Sequence, residues 1–483
     1  MLCQPKGRHI RLQIPAFRLD ASACSVSVAA MMSSLFRRLH EFSTPLMSLR
    51  LTAFPYTLAQ VRKFVRESFA SIGGLASTLI GNAGIFLLIA SAVDPSEFGR
   101  FAKSYASVSL VMLLVDFGYQ QRILRDLDRY VDRFGGLPTT ILHVKLLLAL
   151  VAIGIVAPLV VLLSIDPAIV AVVGVGLLAL SFGHVAGTSL RAQGLHAKDS
   201  LNMFMSSLLG MIYAAVLWWT GMDNALPFAF AFTITGLLYS ILSYALLRRY
   251  LRWRHVTPTV AKIRKELSAG VSYASDTIVV RSYGAVDVII LSAFAGTSAV
   301  GIYQVGQKLM QMILPFGQVL TNVLLPLLSR KFYREGVSDA PLAQLLGLLA
   351  ITSIVAYAGF YTVGYLIVTY ALDPAYGFVL ELLPIFGITV AFRILAVGPS
   401  LWLVAAGVQK IRLIGNIATL VLFVVLLAIL TPALGAYGAA MASALAGVGV
   451  LIFYLIGTRF AHLASGTVLP RKAKTDTDEE QSS

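Results

Sequence analysis

Three cations stand in apolar stretches that leave them no obvious access to water. Arg281, Lys308 and Arg393 each lie inside a run long enough to cross a bilayer. A charge near the bilayer centre costs at least about 2.5–3.5 kcal/mol, so each must face a watery cavity or a partner. The run holding Lys308 is the most informative. Gln304, Lys308, Gln311, Pro315, Gln318 and Asn322 fall at i, i+4, i+7, i+11, i+14 and i+18, on one face of a 3.6-residue helix. In lipid such a polar stripe points inward. Pro315 also removes a backbone donor and is expected to bend the helix.

The run around Arg281 carries Tyr273, Asp276, Tyr283 and Asp287 at i, i+3, i+10 and i+14, with Arg281 to one side of that face. A milder stripe, Ser71, Thr78 and Asn82, lies in the first apolar run. Cations line a pathway when the cargo is anionic, a phosphate or pyrophosphate for example. The expected cavity residues are therefore Arg281, Lys308, Arg393, Gln304, Gln311, Gln318 and Tyr283. Asp276 and Asp287 are either coupling sites for a proton or sodium ion, or ion-pair partners; Arg281 has Asp276, Asp287 or a neighbouring helix to choose from. Lys145 lies near the end of its run, where its long stem is expected to snorkel. Arg100 and Lys103 sit near the opposite end of theirs, with snorkelling and cavity roles both open. Asp116 is expected to cap a helix or pair with a nearby arginine.

These residues need helices to hold them. Of 483 residues, 58% are hydrophobic and 13% charged, against about 25% charged in a soluble domain. The bilayer must be the solvent for most of the chain. Twelve apolar runs reach about 20 residues, the length needed to span it: 70–92, 101–120, 140–163, 168–190, 200–220, 226–247, 269–293, 300–328, 343–371, 377–404, 411–430 and 435–458. The runs are continuous rather than alternating, which excludes a β-barrel. The expected fold is all-α: a polytopic membrane protein with about twelve transmembrane helices in two pseudo-symmetric six-helix bundles around a central cavity.

The net charge of +15 is clustered. Of 38 Lys and Arg, 32 fall before the first run, after every second run, or in the tail. The intervening loops are short and carry Asp94, Glu97, Asp166, Asp223 and Asp373. By the positive-inside rule both termini are expected in the cytoplasm. Basic residues in short runs between apolar segments argue against a nucleic-acid partner. Cys3 and Cys24 make no disulfide framework, no spacing suggests a metal site, and no cofactor is expected.

The expected organisation is an N-terminal basic arm over 1–67, a first bundle over 68–250, a basic linker over 251–268, a second bundle over 269–460 and a disordered tail over 461–483. In the arm, Val61, Phe64, Val65 and Phe69 beside Arg62, Lys63 and Arg66 predict an amphipathic helix on the membrane surface. Met31, Met32 and Met47 are alternative starts to Met1. A weak repeat links the halves. Glu97-Phe98-Gly99-Arg100-Phe101 opens the second run, and Ala299-Val300-Gly301-Ile302-Tyr303 opens the eighth; each places Gly two residues before an aromatic. Two such halves with a path between them are a common transporter plan.

The sequence over about 70–460 resembles the Wzx-type polysaccharide flippases of the multidrug/oligosaccharidyl-lipid/polysaccharide (MOP) exporter superfamily. The resemblance is carried by Pro95-Ser-Glu-Phe-Gly99-Arg-Phe, Asp116-Phe-Gly118, Tyr283-Gly-Ala-Val-Asp287, Ala299-Val-Gly301-Ile-Tyr303 and Leu325-Pro326-Leu-Leu-Ser329. It implies a bacterial inner-membrane transporter that flips undecaprenyl-pyrophosphate-linked oligosaccharides by alternating access for surface polysaccharide such as lipopolysaccharide or exopolysaccharide. Its partners would be the lipid-linked oligosaccharide, membrane lipids and the polysaccharide assembly machinery. The alternatives are a cation-coupled drug exporter of the same superfamily, which would need an acid-dominated cavity, and a membrane glycosyltransferase or polymerase, which would need a sizeable aqueous loop for its catalytic groups. Asp126-Leu-Asp128 fits an enzyme pattern, but among Arg122, Arg125, Arg129 and Arg133 it reads as a solvated loop. The expectation is a transporter and not an enzyme.

Overall fold

The structure is a computed structural model that describes residues 81–134, 136–257, 259–335 and 340–465. The expected arm helix, the alternative starts, Ser71, Thr78 and the end of the tail lie outside the described residues.

The described chain is helical almost throughout. In order it forms α1 (Gly81–Ala92), α2 (Pro95–Asp116), α3 (Tyr119–Phe134), α4 (Thr140–Leu162), α5 (Pro167–Ala192), α6 (His196–Trp219), α7 (Ala225–Leu247), α8 (Val260–Glu335), α9 (Ala340–Ala371), α10 (Val379–Ala405) and α11 (Gln409–Ser465). Among the described residues, nine helices are long and apolar enough to cross a membrane. Two of them are hairpins. The Tyr303 hydroxyl donates to Asp287 at 2.9 Å, although 16 residues separate them; a straight helix would hold them about 24 Å apart. The reversal falls at Gly296 (φ 79°, ψ 179°), a backbone that only glycine adopts freely. Gly435 (φ 55°, ψ −131°) does the same in α11, where Tyr454 reaches back to Asn416 at 2.5 Å. Counting both limbs of each hairpin and the shorter apolar α1, the described residues hold an apolar helical segment within each of the twelve expected runs. The backbone stays helical through Pro315.

The acids of the short loops have a local task. Asp94, Asp166 and Asp373 each precede a proline and cap the element that follows, accepting from the backbone N–H groups of Glu97 (3.0 Å), Ala168 (2.9 Å) and Ala375 (2.8 Å). A side-chain acceptor satisfies an orphan N–H, and proline suits the first helical position. Three helix starts on one side of the molecule are fixed by Asp-Pro pairs.

Helices α1–α7 pack among themselves, as do α8–α11, and α2 against α8 is the main contact between the two groups. The core at that seam is aromatic. Phe86 meets Phe98, Phe101, Tyr105 and Phe232 at centroid distances of 4.9–6.1 Å, all edge-on. The outer faces of α4, α6 and α9 expose Leu150, Ile212, Ile354 and Val355, as helix faces in contact with lipid would.

One segment differs from its sequence reading. Residues 119–134 form an amphipathic helix, α3, not a solvated loop. Tyr119, Ile123, Leu127 and Tyr130 fall on one face and are buried against Leu137, Ile141 and Leu247. Arg122 on this helix is buried and pairs with Glu266 at 2.9 Å. A parallel two-residue pairing of β1 (Leu137–Pro138) with β2 (Trp253–Arg254) ties the next turn to the chain entering α8.

Candidate functional site

α2 runs antiparallel to the first limb of α8, and contacts close both ends of their seam. At the end with the acidic loops the Ser96 and Thr297 hydroxyls lie 3.2 Å apart. Here the two repeat glycines meet. A Cβ on Gly99 would collide with the Thr297 carbonyl oxygen and come within 3.0 Å of the Gly301 nitrogen; one on Gly301 would collide with the Pro95 carbonyl oxygen and lie 3.2 Å from the Gly99 nitrogen. Each glycine leaves room for the other's backbone. The Tyr376 hydroxyl donates to the Val93 carbonyl at 3.1 Å and extends the closure.

At the basic end Arg281 of α8 donates to Asp116 of α2 at 2.9 Å. Next to it, Thr277 and Gln121 meet at 3.1 Å, and Arg125 donates to the Tyr273 hydroxyl.

Between the two closures lies a cavity of about 440 Å³. One wall carries Asn82, Tyr105, Asp116, Ser181 and His184, from α1, α2 and α5. The other carries Arg281, Tyr283, Asp287, Gln307, Gln311 and Arg393, from α8 and α10. Of the residues expected from sequence, Arg281, Arg393, Gln311, Tyr283 and Asp287 reach it.

The two wall arginines differ in their partners. Arg281 has Asp116. Arg393 has no ion-pair or hydrogen-bond partner among the described residues; its guanidinium lies 5.9 Å from the centre of the Tyr283 ring. Asp287 is buried and fully engaged, accepting from the Tyr303 hydroxyl at 2.9 Å, from the Val288 N–H at 2.8 Å and from the Gln307 amide.

Lys308 and Gln304 sit one layer behind the wall. Lys308 donates to Gln311 at 3.3 Å and stands 3.8 Å above the Phe86 ring. That cation–π contact spans the seam. The Gln304 amide donates to Gln307 at 2.9 Å. Gln307, absent from the sequence stripe, is thus the wall residue at this level. Asp276 and Gln318 lie on α8, and their side chains are outside the described residues.

Lys145 corrects its sequence reading. It does not snorkel; at 1% exposure it donates inward to the Val115 carbonyl (3.0 Å) and the Ser181 hydroxyl (2.8 Å). Ser181 in turn donates to Asp116 at 2.5 Å. Asp116 therefore has Lys145 and Ser181 behind it and Arg281 in front. His184 lies on the same wall, and its Nδ1 is buried without a hydrogen-bond partner among the described residues. Arg100, by contrast, is a rim residue, pairing with Glu97 (3.0 Å) and Asp166 (3.3 Å).

Among the described residues, the cavity thus offers one guanidinium with no direct ion pair and a second held by a single carboxylate. A phosphate can bind the first directly and compete for the second, because guanidinium geometry matches phosphate oxygens bidentately.

A family model described as polysaccharide biosynthesis protein matches residues 66–332. The chain belongs to this family. No significant match to a curated protein is found. Solved structures share the fold. A multidrug resistance MATE family transporter of the MOP superfamily, inward-facing, is 14% identical with a TM-score of 0.61, over 83% of this chain and all of that one. The lipid II flippase MurJ, in an inward closed conformation, is 13% identical with a TM-score of 0.64, over 81% of this chain and 87% of that one. A MOP superfamily transporter from Pyrococcus furiosus is 15% identical with a TM-score of 0.53, over 83% of this chain and 96% of that one. At these identities the likeness is one of fold. The polysaccharide biosynthesis family member described here is a multi-pass membrane protein with the MOP transporter architecture.

Proposed function

We propose that this chain is a transporter, not an enzyme, and that it flips an undecaprenyl-pyrophosphate-linked oligosaccharide across the bacterial inner membrane by alternating access. The observation that carries the reading is Arg393, a guanidinium with no direct ion pair or hydrogen bond among the described residues, on the wall of a cavity between two helix groups; Asp287 acts on it only at a distance. A cation held at this depth with no direct carboxylate contact is costly, and an anionic ligand that spends part of the cycle beside it offsets that cost. The polysaccharide biosynthesis family and the shared fold with a lipid II flippase support the same class of cargo.

In this reading the basic side is cytoplasmic, with both termini there, by the distribution of Lys and Arg. The pyrophosphate enters at the Arg281–Asp116 pair and competes with the carboxylate for Arg281. It gains a second contact from Arg393, with the charge of Lys308 behind Gln311. Losing Asp116 as a partner of Arg281 opens the basic end of the seam. Moving the cargo outward requires the Gly99–Gly301 contact to part. Asp287 is the candidate coupling acid and Asp276 the second. The polysaccharide assembly machinery is the expected recipient of the flipped product.

A drug-cation exporter is the weaker reading. It would need carboxylates free for a cationic ligand, whereas Asp116 is paired with Arg281 and both oxygens of Asp287 accept hydrogen bonds.

The test is genetic complementation. Deletion should abolish surface polysaccharide, and the wild-type chain should restore it while Arg393→Ala, at equal membrane abundance, should not. Surface polysaccharide that survives the deletion contradicts the proposal.

A further inference from the structure

A second cavity, of about 280 Å³, lies among α8, α10 and α11 on the far side of Arg393 and Tyr283, which line both spaces. Its chemistry differs from that of the first. Apart from Arg393 on the dividing wall, its polar lining is neutral: Ser400, Asn416, Thr419 and Tyr454, over a floor of small apolar residues including Ala446 and Gly447.

Asn416 is held in place from two sides. Its side-chain oxygen accepts from the Tyr454 hydroxyl at 2.5 Å, and its backbone carbonyl accepts from Tyr283 at 2.8 Å. With the oxygen engaged, the amide Nδ2 is left as a donor with no protein partner among the described residues. Tyr283 is fixed in turn by stacking on Phe423, centroid to centroid 5.8 Å. Tyr283 on the dividing wall and Asn416 beside it are therefore held in position, as a recognition site requires.

We infer that this smaller cavity is a glycan subsite, which takes the sugar next to the pyrophosphate while Arg393 reaches the phosphate from the shared wall. The inference rests on the flippase reading and deepens it. A neutral set of hydroxyl and amide groups beside an apolar floor matches a sugar, which has hydroxyls at its rim and C–H groups on its faces. It does not match a second phosphate, which would call for further cations. The volume is near the lower end of ligand pockets, about 300 Å³, so the space suits a single ring and not a chain.

The purified full-length chain in nanodiscs tests this by equilibrium binding. The ligands are undecaprenyl pyrophosphate and the same lipid carrying one glucose, one galactose, one N-acetylglucosamine or one N-acetylgalactosamine. At least one sugar-bearing lipid should bind tenfold or more tightly than the bare lipid. Ser400→Leu, at a residue that lines the cavity, should fill it and erase that gain, and Asn416→Leu should do the same by removing the donor. No gain for any sugar, or a gain that survives Ser400→Leu, overturns the subsite. Failure of every lipid to bind would sink the flippase reading itself, an outcome distinct from bare-lipid binding without a sugar gain.

Discussion

Arg281 and Asp116 stand 165 residues apart in the chain, and their side chains meet at 2.9 Å across the seam between the two helix groups. Asp116 is anchored in its own group by Ser181, which Lys145 holds from behind. Arg281 has no second carboxylate among the described residues, and 45% of its side chain is exposed. The pair thus has a fixed acid and a movable base, the arrangement expected of a latch that an anion opens by taking the arginine.

Asp116→Asn and Arg281→Gln should both loosen the basic end, but they should differ in transport. Breaking a fully buried pair costs about 3–5 kcal/mol and an exposed one about 0.2–1, so this half-exposed pair should contribute roughly 1–2 kcal/mol. A cysteine introduced at Thr277 should react severalfold faster with a water-soluble maleimide in either variant. Transport should fall further in Arg281→Gln, because Arg281 also meets the cargo. Equal transport in the two variants would confine Arg281 to a structural role.

The Ser96 and Thr297 hydroxyls, 3.2 Å apart, mark the opposite closure. In a background with Cys3 and Cys24 replaced by serine, a Ser96→Cys/Thr297→Cys pair should cross-link on oxidation and stop transport, and reductant should restore it. Transport that continues through the cross-linked form would show that this contact need not part.

Gly99→Val should be more harmful than its position near the rim suggests. The added carbon runs into backbone, the Thr297 carbonyl, which cannot swing aside as a side chain can. The expected result is a lower melting temperature in detergent and less folded protein in the membrane. Gly301→Val, which meets the Pro95 carbonyl, should match it; a harmless outcome at either glycine would contradict the reciprocal packing.

Lys145→Met keeps the stem and removes the ammonium. Hydrogen bonds from charged groups contribute about 1.5–3 kcal/mol each, and this lysine makes two, to Val115 and Ser181. Thermal melting should shift down clearly, and Asp116 should lose its hold on Arg281 in part, visible as faster labelling at Thr277→Cys. An unchanged melting curve would mean that the lysine is solvated after all.

Much of this fold can be read from one dimension. Twelve apolar runs separated by alternating basic and acidic loops specify the crossings because lipid tolerates little else. α3 was harder. Its apolar residues Tyr119, Ile123, Leu127 and Tyr130 have helical spacing, but arginines crowd between them and mask the periodicity. The site is where sequence reasoning falls short. Lys145 sits near the end of its run, where snorkelling is the ordinary outcome; only the approach of α5 supplies Ser181. Three partners were open to Arg281, and the antiparallel register of α2 and α8 selects Asp116. Of the stripe residues Gln304, Lys308 and Gln311, only Gln311 reaches the wall; Gln307, one position off the stripe's face, lines it in place of Gln304 and Lys308, which stand behind.

The most direct measurement is the sidedness of the lipid-linked oligosaccharide. In a deletion strain carrying Arg393→Ala at wild-type abundance, lipid-linked oligosaccharide should accumulate on the cytoplasmic face, protected from a glycosidase or periodate added to intact spheroplasts, while cells with the wild-type chain show it exposed outside. Normal outward exposure in Arg393→Ala would contradict the claim that this guanidinium holds the anionic cargo.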